Sequence, residues 1–281
     1  MPEVPEVQAH AERLTEGFGG AELAGFRPIT FTALKTFSPT PESLHGLPLQ
    51  QVGRRGKYLL LEFEPATFVV HLMQGGRLKP DEKQSAKPRG GQARWTFADG
   101  RALLLTEAGT ERKAGVWVVA GDHDDVVVSP PLDDLGPEAE SADRDTVAKL
   151  LTEHSMRLHG WLRDQRILAG MGRRLANEVC HRARLSPFAT TAKLDDDAVD
   201  RLHAAIGACI EESLAVERAR SDMSSSKERP GAVHHREGEA CPVCGDTVRA
   251  VEYSRYTVNY CPTCQTGGKV LADNTTSRFL K

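Results

Sequence analysis

Four cysteines near the end of the chain constrain its fold more than any other feature. They form two C-x2-C pairs, CPVCG (Cys241 and Cys244) and CPTCQ (Cys261 and Cys264), with 16 residues between the pairs. Two such pairs are typical of a tetrahedral zinc site closed by a hairpin. A disulfide framework is the alternative, and a reducing compartment disfavours it. Because four thiolates leave no open coordination position, we expect one structural Zn²⁺ and no zinc-dependent hydrolase.

The segment between the two pairs, VRAVEYSRYTVNY (248–260), predicts a strand, a turn and a second strand, with Arg255 near the tip. A short hairpin that presents one arginine suits contact with a phosphate, and a solvated arginine without a role fits nearly as well. Cys180 and Cys209 stand alone at helical positions and are expected in the core. Residues 241–281 are therefore predicted as a zinc finger followed by a tail.

The first 125 residues have the pattern of a sheet domain that begins with a helix. Residues 5–17 place Val7, Ala11 and Leu14 on one helical face. Runs of β-forming residues follow at 57–63, 67–73, 92–97, 101–106 and 114–120. The expected fold class is α+β, and the pattern of residues 1–125 fits a β-sandwich or a barrel.

The second half of the chain is predominantly helical. An acidic, proline-containing stretch at 126–141 predicts a linker, and a domain of residues 142–220 follows it. Apolar periodicity predicts helices at 143–153, 155–167, 174–184 and 196–217. Residues 221–240 are polar with little to bury, which predicts a mobile segment before the zinc finger.

Composition limits the classes of function. No segment approaches the roughly 18 apolar residues of a membrane helix, and the charged N-terminus does not resemble a signal peptide, so a cytoplasmic protein is expected. The net charge of −3 argues weakly against a nucleic-acid partner. Residues 161–187, however, carry six arginines against two acids, and a local basic face binds phosphate on an acidic protein. A solvated helix surface is an equal alternative.

A glycine turn within this basic stretch is a candidate anion site. Gly170-Met171-Gly172 separates two predicted helices, and the second helix would begin near Arg173. The free N–H groups at a helix N-terminus bind anions, and adjacent arginines would add to the attraction. An ordinary helix–turn–helix packing unit fits the pattern equally well.

The N-terminal sequence MPEVPEV raises a second chemical possibility. Removal of Met1 would leave Pro2 as a free secondary amine with the carboxylate of Glu3 beside it. Proline and glutamate are also favoured at the start of a helix, and by itself this alternative is the stronger one.

Taken in order, these features resemble the bacterial formamidopyrimidine-DNA glycosylases and endonuclease VIII, which form one family of repair enzymes. The motifs that carry the resemblance are MPEVPEV, RRGKYLLL (54–61), HL and GRL (71–78), LGP (135–137), DQ and AGMG (164–172) and the CPxCQ knuckle. The resemblance implies a β-sandwich domain, a helix–two-turn–helix domain and a C-terminal zinc finger. It also implies a monomer that acts on double-stranded DNA with damaged bases or abasic sites.

The same resemblance implies a bifunctional DNA glycosylase and AP lyase of base-excision repair. In this family the Pro2 amine attacks C1′ of the damaged nucleotide, Glu3 transfers protons at the opening sugar, and Lys57 holds a phosphate or assists proton transfer. An α-amine has a pKa near 8, against about 10.4 for lysine, so more of it is neutral at pH 7. A lesion-binding or DNA-damage resistance protein on the same scaffold, and an unrelated binder of structured RNA, are the alternatives.

Recognition of a flipped nucleotide requires residues that hold and fill the distorted duplex. The resemblance implies that Arg173 and Arg255 hold the flanking phosphates. The expected DNA-binding residues are His71, Met73, Gln74, Arg112, Lys113, Gly172, Arg173 and Arg255.

Several of these positions depart from the family pattern. Arg173 replaces a common asparagine, Gln74 aligns with a methionine wedge, and residues 106–115 replace a DPRRFG loop, with Ala114 in the place of its phenylalanine. Because Pro2, Glu3 and Lys57 are retained and the departures lie where the lesion is read, we expect strand cleavage at abasic sites to be the most robust activity. The lesion preference is expected to differ from that of 8-oxoguanine specialists.

Overall fold

The computed structural model describes residues 1–109, 112–223, 228–253 and 256–271. The chain divides into two compact units, Met1–Asp134 and Leu135–Lys281, and their boundary falls within the predicted linker. Within the described ranges, none of the helices has the length and apolar character needed to cross a membrane.

The first unit is a β-sandwich preceded by a helix, as predicted. Helix α1 (Val4–Phe18) buries the three apolar positions of the predicted face. The strands are β1 (Leu23–Pro28), β2 (Gln51–Arg55), β3 (Tyr58–Glu62), β4 (Ala66–His71), β5 (Gly76–Pro80), β6 (Gly91–Phe97), β7 (Ala102–Glu107) and β8 (Gly115–Ala120). They form two antiparallel sheets with the orders β1-β6-β7-β5 and β2-β3-β4-β8. A short helix, α2 (His123–Val127), follows β8, and Pro41–Leu44 form a 3₁₀ turn.

Aromatic side chains from both sheets fill the space between them. Phe68 of β4 meets Trp95 of β6 edge to face, with ring centroids 5.6 Å apart. Helix α1 contacts an edge strand of each sheet, because Thr15 Oγ1 accepts from the Val52 N–H (2.8 Å) and His10 Nε2 lies 2.5 Å from the Leu78 carbonyl oxygen. These contacts fix the N-terminal end of the chain against the sandwich.

The second unit contains the helices and a small hairpin. Its elements are α3 (Arg144–Glu153), α4 (Leu158–Trp161), α5 (Arg173–Arg182), a 3₁₀ turn (Thr191–Lys193), α6 (Asp196–Arg218), β9 (Arg249–Tyr253), β10 (Tyr256–Tyr260) and α7 (Pro262–Thr266). Three of the four predicted helices are confirmed within two residues, and the predicted hairpin is confirmed between the cysteine pairs.

The helix predicted over 155–167 is wrong. Only Leu158–Trp161 is helical, and the chain then turns towards α5. The Gln165 side chain stabilises this turn: its Nε2 donates to the carbonyls of Arg163 and Met171 (both 2.8 Å), and its Oε1 accepts from the Gly170 N–H (2.9 Å). One polar side chain therefore binds backbone groups that a longer helix would have paired internally.

The expectation that residues 221–240 have little to bury is wrong for residues 228–240, where Arg229, Val233 and His234 are buried. The Glu178 carboxylate of α5 accepts from the N–H groups of Ala232 (2.7 Å), Val233 (3.1 Å) and His234 (2.8 Å). The Val233 side chain is fully buried. A polar sequence thus packs closely because its backbone donors bind one carboxylate from another element.

Candidate active site and zinc finger

The N-terminus of α1 carries buried polar groups. Pro2 is buried, and Glu3 and Glu6 are 4% and 2% exposed. Glu3 is the N-cap residue, and its N–H donates to Glu6 Oε2 at 3.1 Å as part of a capping box. The positive end of the helix dipole stabilises both carboxylates. The helix-start interpretation of Glu3 is therefore confirmed, and it does not conflict with a chemical role because the carboxylate lies beside Pro2. Sequence reasoning missed Glu6, although the repeated Pro-Glu pair was its signal.

Lys57 is placed by a tight hairpin between β2 and β3. The turn consists of Gly56 and Lys57, and Gly56 adopts the left-handed φ of +54° that favours glycine. Arg54 fixes this hairpin to α1, since it donates from Nε to Gln8 Oε1 (3.0 Å) and from Nη1 to the Gly56 carbonyl (3.2 Å). Lys57 is only 7% exposed, so its long side chain is directed by the surrounding protein.

His71 shows that Lys57 and the chain terminus belong to one cluster. Burial, together with the positive charges of Lys57 and of the Met1 amino group, lowers the pKa of His71 to about 4. The ring lies against Tyr58, with centroids 4.5 Å apart, and Tyr58 also contacts Trp117 at 6.0 Å. Burial raises the pKa of Tyr58. His71 is therefore a neutral imidazole at pH 7, next to two positive groups.

The turn after β4 presents Gln74 to solvent. Met73 has a left-handed φ of +52°, is half-buried, and donates its N–H to His71 Nδ1 at 3.3 Å. A left-handed non-glycine residue is uncommon and is often found at functional turns. The Gly76 N–H closes the turn on the Leu72 carbonyl (2.8 Å). Of the two wedge candidates, Gln74 is exposed and Met73 packs against His71.

The loop between β7 and β8 exposes its cations and buries its alanine. Arg112 and Lys113 are exposed, and Thr110 and Glu111 lie outside the described residues. Ala114 is buried, and its N–H donates to Glu107 Oε2 at 2.7 Å.

The arginines of residues 161–187 do not form a single face. Gly172 is the N-cap of α5, and Arg173, the first helical residue, is half-buried. The buried guanidinium of Arg174 donates to the carbonyls of Arg229 (3.1 Å) and Pro230. Arg182, at the opposite end of α5, pairs with Glu212. At the helix start, Arg173 therefore remains the candidate for phosphate contact.

Arg255 lies outside the described residues, but the aromatic residues on either side of the hairpin tip are well placed. The rings of Tyr253 and Tyr256 stack with centroids 4.7 Å apart. Tyr256 also stacks on His159 (6.1 Å), and the guanidinium of Arg163 lies 4.3 Å from the Tyr256 ring centre. Burial, with the Arg163 charge, lowers the pKa of His159 to about 3. These stacked rings and the Arg163 guanidinium fix the hairpin to the helical part of the same unit.

The four cysteine thiols form two close pairs. The Sγ atoms of Cys241 and Cys264 are 3.9 Å apart, and those of Cys244 and Cys261 are 3.3 Å apart. A tetrahedral site with Zn–S bonds of about 2.3 Å requires S···S separations of about 3.8 Å. These two separations lie near that value, and thiolates are a donor set that suits Zn²⁺.

His181 of α5 is a polar neighbour that sequence reasoning missed. Its Nε2 lies 3.3 Å from Cys241 Sγ, and the side chain is 5% exposed. The donor atoms of His181, Cys241, Cys261 and Cys264 all lie within 4.8 Å of one another, whereas Cys244 is exposed. Nothing in the local sequence signalled this contact, because it depends on how α5 packs against the finger.

Comparison with known proteins gives the family. Residues 1–116 match the formamidopyrimidine-DNA glycosylase N-terminal domain, and residues 135–225 match the formamidopyrimidine-DNA glycosylase H2TH domain. The formamidopyrimidine-DNA glycosylase of Pelotomaculum thermopropionicum is 30% identical over 278 residues, covering 94% of this chain and 99% of that protein. The chain belongs to the formamidopyrimidine-DNA glycosylase family. The resemblance predicted from the motifs is thereby confirmed.

Two further similarities bear on the family assignment. An uncharacterized formamidopyrimidine-DNA glycosylase-like protein of Mycobacterium tuberculosis is 40% identical over 149 residues, which cover 52% of this chain and 94% of that protein. The Lactococcus lactis enzyme bound to abasic-site DNA matches with a TM-score of 0.83 at 20% identity, over 94% of this chain and 99% of that chain. At this identity the similarity shows the fold: a β-sandwich, a helical domain and a finger.

Proposed function

We propose that the chain is a bifunctional DNA glycosylase and AP lyase that acts on double-stranded DNA with damaged bases or abasic sites. One observation carries the proposal: Pro2, Glu3 and Lys57 are all buried, and the charges of Lys57 and of the amino group of Met1, the residue before Pro2, both act on His71. An amine with a carboxylate and an ammonium group is the donor set needed to attack a sugar carbon and move the protons that follow.

The reaction would begin at the Pro2 nitrogen once Met1 has been removed. The neutral amine attacks C1′, the bond between C1′ and the base breaks, and the base leaves with a proton. Glu3 donates a proton to the ring oxygen O4′ as the sugar opens, which leaves a cationic iminium between Pro2 and C1′. Because the nitrogen is a secondary amine, this iminium carries its charge without an extra proton.

Strand cleavage would follow from the same intermediate. Loss of a proton from C2′ delivers an electron pair towards the iminium, and the bond between C3′ and its phosphate oxygen breaks. A second elimination at C5′ would complete β,δ-elimination. Water then hydrolyses the Schiff base and restores the Pro2 amine. Lys57 is proposed to bind the adjacent phosphate or to assist the proton transfers.

We further propose that each of the two units contributes its own residues to DNA binding. In the first unit His71 and Met73 support the turn, exposed Gln74 enters the stack, and Arg112 and Lys113 contact the backbone. In the second unit the N–H groups at Gly172, with Arg173 and Arg255, bind phosphates. A lesion preference different from that of 8-oxoguanine specialists follows from exposed Gln74 and buried Ala114.

The finger is proposed to hold one structural Zn²⁺ through Cys241, Cys244, Cys261 and Cys264. The metal would cross-link the hairpin to α7 and supply no reaction step. His181 would donate an N–H bond to the Cys241 sulfur, which orients that ligand and reduces its charge.

A panel of DNA substrates distinguishes the proposed glycosylase and lyase activity from lesion binding without catalysis. Duplexes with one abasic site, one 8-oxoguanine, one oxidised pyrimidine or one ring-opened purine would be incubated with the Met-trimmed protein, and strand cleavage would be measured. We expect cleavage of the abasic duplex and of at least one lesion other than 8-oxoguanine. Tight lesion binding without cleavage of any duplex would favour the lesion-binding alternative, which the altered Gln74 and Ala114 positions support.

A further inference from the structure

We propose that Phe31 and Phe37 form a second DNA-contacting element, in which both rings stack on bases of the distorted duplex next to the catalytic cluster. The inference rests on the proposed DNA substrate and adds two DNA-contacting residues to those already proposed. The element is residues 29–40, hereafter the aromatic strap, which connects β1 to the 3₁₀ turn.

The first observation is exposure. Phe31 is 93% exposed and Phe37 is 92% exposed, more than any other large apolar side chain in the described ranges. Phenylalanine normally contributes to folding through burial, and here that contribution is absent. Two such rings on one short segment indicate a surface that is covered when the protein acts.

The second observation is that the strap between the two rings is fixed in place. The Val116 N–H donates to the Ala33 carbonyl and the Lys35 N–H donates to the Val116 carbonyl, both at 2.8 Å. The Val118 N–H donates to Thr36 Oγ1 at 2.8 Å. The strap therefore pairs with the outer edge of β8, and the two rings project from either end of this anchored segment.

The third observation is continuity with the catalytic cluster inside the same unit. A Cβ atom at Gly115 would lie 3.0 Å from Lys35 Cε, so the Lys35 side chain packs over that glycine. Gly115 pairs with His71 across the β4–β8 ladder. His71 in turn experiences the charges of Lys57 and of the amino group of Met1, which precedes Pro2. Gly115 and His71 therefore connect the strap to the groups proposed to react.

The fourth observation is charge. Residues 29–40 contain Lys35 and no acidic residue, and exposed Arg112 and Lys113 precede the strand that the strap covers. Exposed rings among cations are the combination that binds nucleic acid, because aromatic rings stack on bases of any sequence and cations bind phosphates. We therefore assign DNA to this surface in preference to another protein.

The test is a comparison of DNA affinity between wild type and the double variant Phe31→Ala/Phe37→Ala. The probe is a fluorescein-labelled duplex carrying a tetrahydrofuran abasic analogue, and binding is measured by anisotropy at fixed salt. We expect Kd to rise roughly tenfold or more, since loss of base stacking has effects of this size. Val128→Ala is the matched control, because Val128 is an apolar side chain of the same unit that is 70% exposed and follows α2; its Kd should equal that of wild type.

A second variant separates stacking from folding. Phe31→Trp/Phe37→Trp keeps two rings, so it should bind with wild-type affinity and its added tryptophan fluorescence should be quenched by DNA. Equal affinity of the alanine variant and wild type would overturn the proposal, as would unquenched tryptophans. Self-association of wild type that the alanine variant abolishes, with DNA binding unchanged, would assign the strap to a protein contact instead. If wild type neither binds nor cleaves the duplex, the proposed function itself has failed, which is a distinguishable result.

Discussion

His71 is the residue at which the electrostatics of the candidate site can be measured. Its pKa is about 4 in the folded protein and 6.5 in an unfolded chain. Between these values the unfolded state binds more protons, so the protein loses stability as the pH falls from about 6.5 towards 4. The expected loss is on the order of 2–3 kcal/mol, since one pKa unit corresponds to about 1.4 kcal/mol.

Urea unfolding of wild type and His71→Gln at pH 7, 5.5 and 4.5 tests this shift. The variant should lose less stability than wild type on acidification, because it has no ring to protonate. His45→Gln is the control, since His45 is an exposed histidine of the same unit. Parallel pH curves for His71→Gln and wild type would contradict the assignment.

Glu3 caps α1 and is proposed to transfer a proton, and these two roles are separable. Glu3→Gln keeps an oxygen that accepts the helix N–H, so the free energy of unfolding should change by no more than about 1 kcal/mol. Without the ionisable group, base excision should fall by about 10²- to 10⁴-fold. Glu16→Gln in the same helix is the control for both measurements. If Glu3→Gln lost much stability, and excision fell only in proportion to the loss of folded protein, Glu3 would be a structural cap without a chemical role.

At the scale of elements, most of the strands predicted from the sequence are central in their sheets, whereas the strands that were not predicted are edge strands. The central strands β3, β4, β6 and β7 are paired on both edges and mostly buried; β3, β4 and β7 contain apolar runs, and β6 alternates polar residues with Ala93, Trp95 and Phe97. The unnamed strands β1, β2 and β5 are all edge strands, and their sequences LAGFRP, QVGRR and GRLKP carry glycine, proline and charge. β8 is an apolar edge strand, and the strap covers its outer edge.

The errors in the second unit have one physical origin. The turn after α4 depends on Gln165, and the order of residues 228–240 depends on Glu178. Both side chains bind backbone groups from distant or non-helical segments, and apolar periodicity carries no information about such bonds. The same holds for Asn177, which is fully buried and bonds His234 at 2.9 Å.

Removal of the Glu178 carboxylate should release the segment it binds. In Glu178→Ala the N–H groups of Ala232, Val233 and His234 lose a charged acceptor, at a cost of about 1.5–3 kcal/mol for bonds of this type. Hydrogen exchange of residues 228–240 should accelerate at least tenfold. Glu212→Ala, which breaks an exposed pair with Arg182, should leave that exchange unchanged. Unchanged protection in Glu178→Ala would show that other contacts order the segment.

His181 should tune the retention of zinc without setting its stoichiometry. His181→Phe should still bind one Zn²⁺ per chain, but transfer of the metal to a chelating dye should be about 10- to 100-fold more favourable, as for other outer-sphere partners. His154→Phe, at an exposed position of the same unit, is the control. A stoichiometry below one would instead make His181 a ligand, and an unchanged metal affinity would remove it from the site.

At the scale of the whole molecule, the family motifs predicted which residues would matter, and the structure supplies how they are supported. Pro2, Glu3 and Lys57 are near the N-terminus or in one motif, so a linear pattern contains them. Other features depend on packing within α1 and across the β4–β8 ladder. They are the capping role of Glu6, the neutral ring of His71 and the position of the aromatic strap. Local sequence does not encode those distances.

The central claim is that Pro2 forms a covalent imine with DNA. The most direct measurement is borohydride trapping on a duplex with one abasic site, comparing the Met-trimmed protein with Pro2→Gly, after mass spectrometry has verified the N-terminus of each. We predict an adduct of one protein and one strand for wild type, and at least a hundredfold less for the variant at equal DNA occupancy. An equal adduct from Pro2→Gly, or no adduct from trimmed wild type that binds the duplex, would contradict the account.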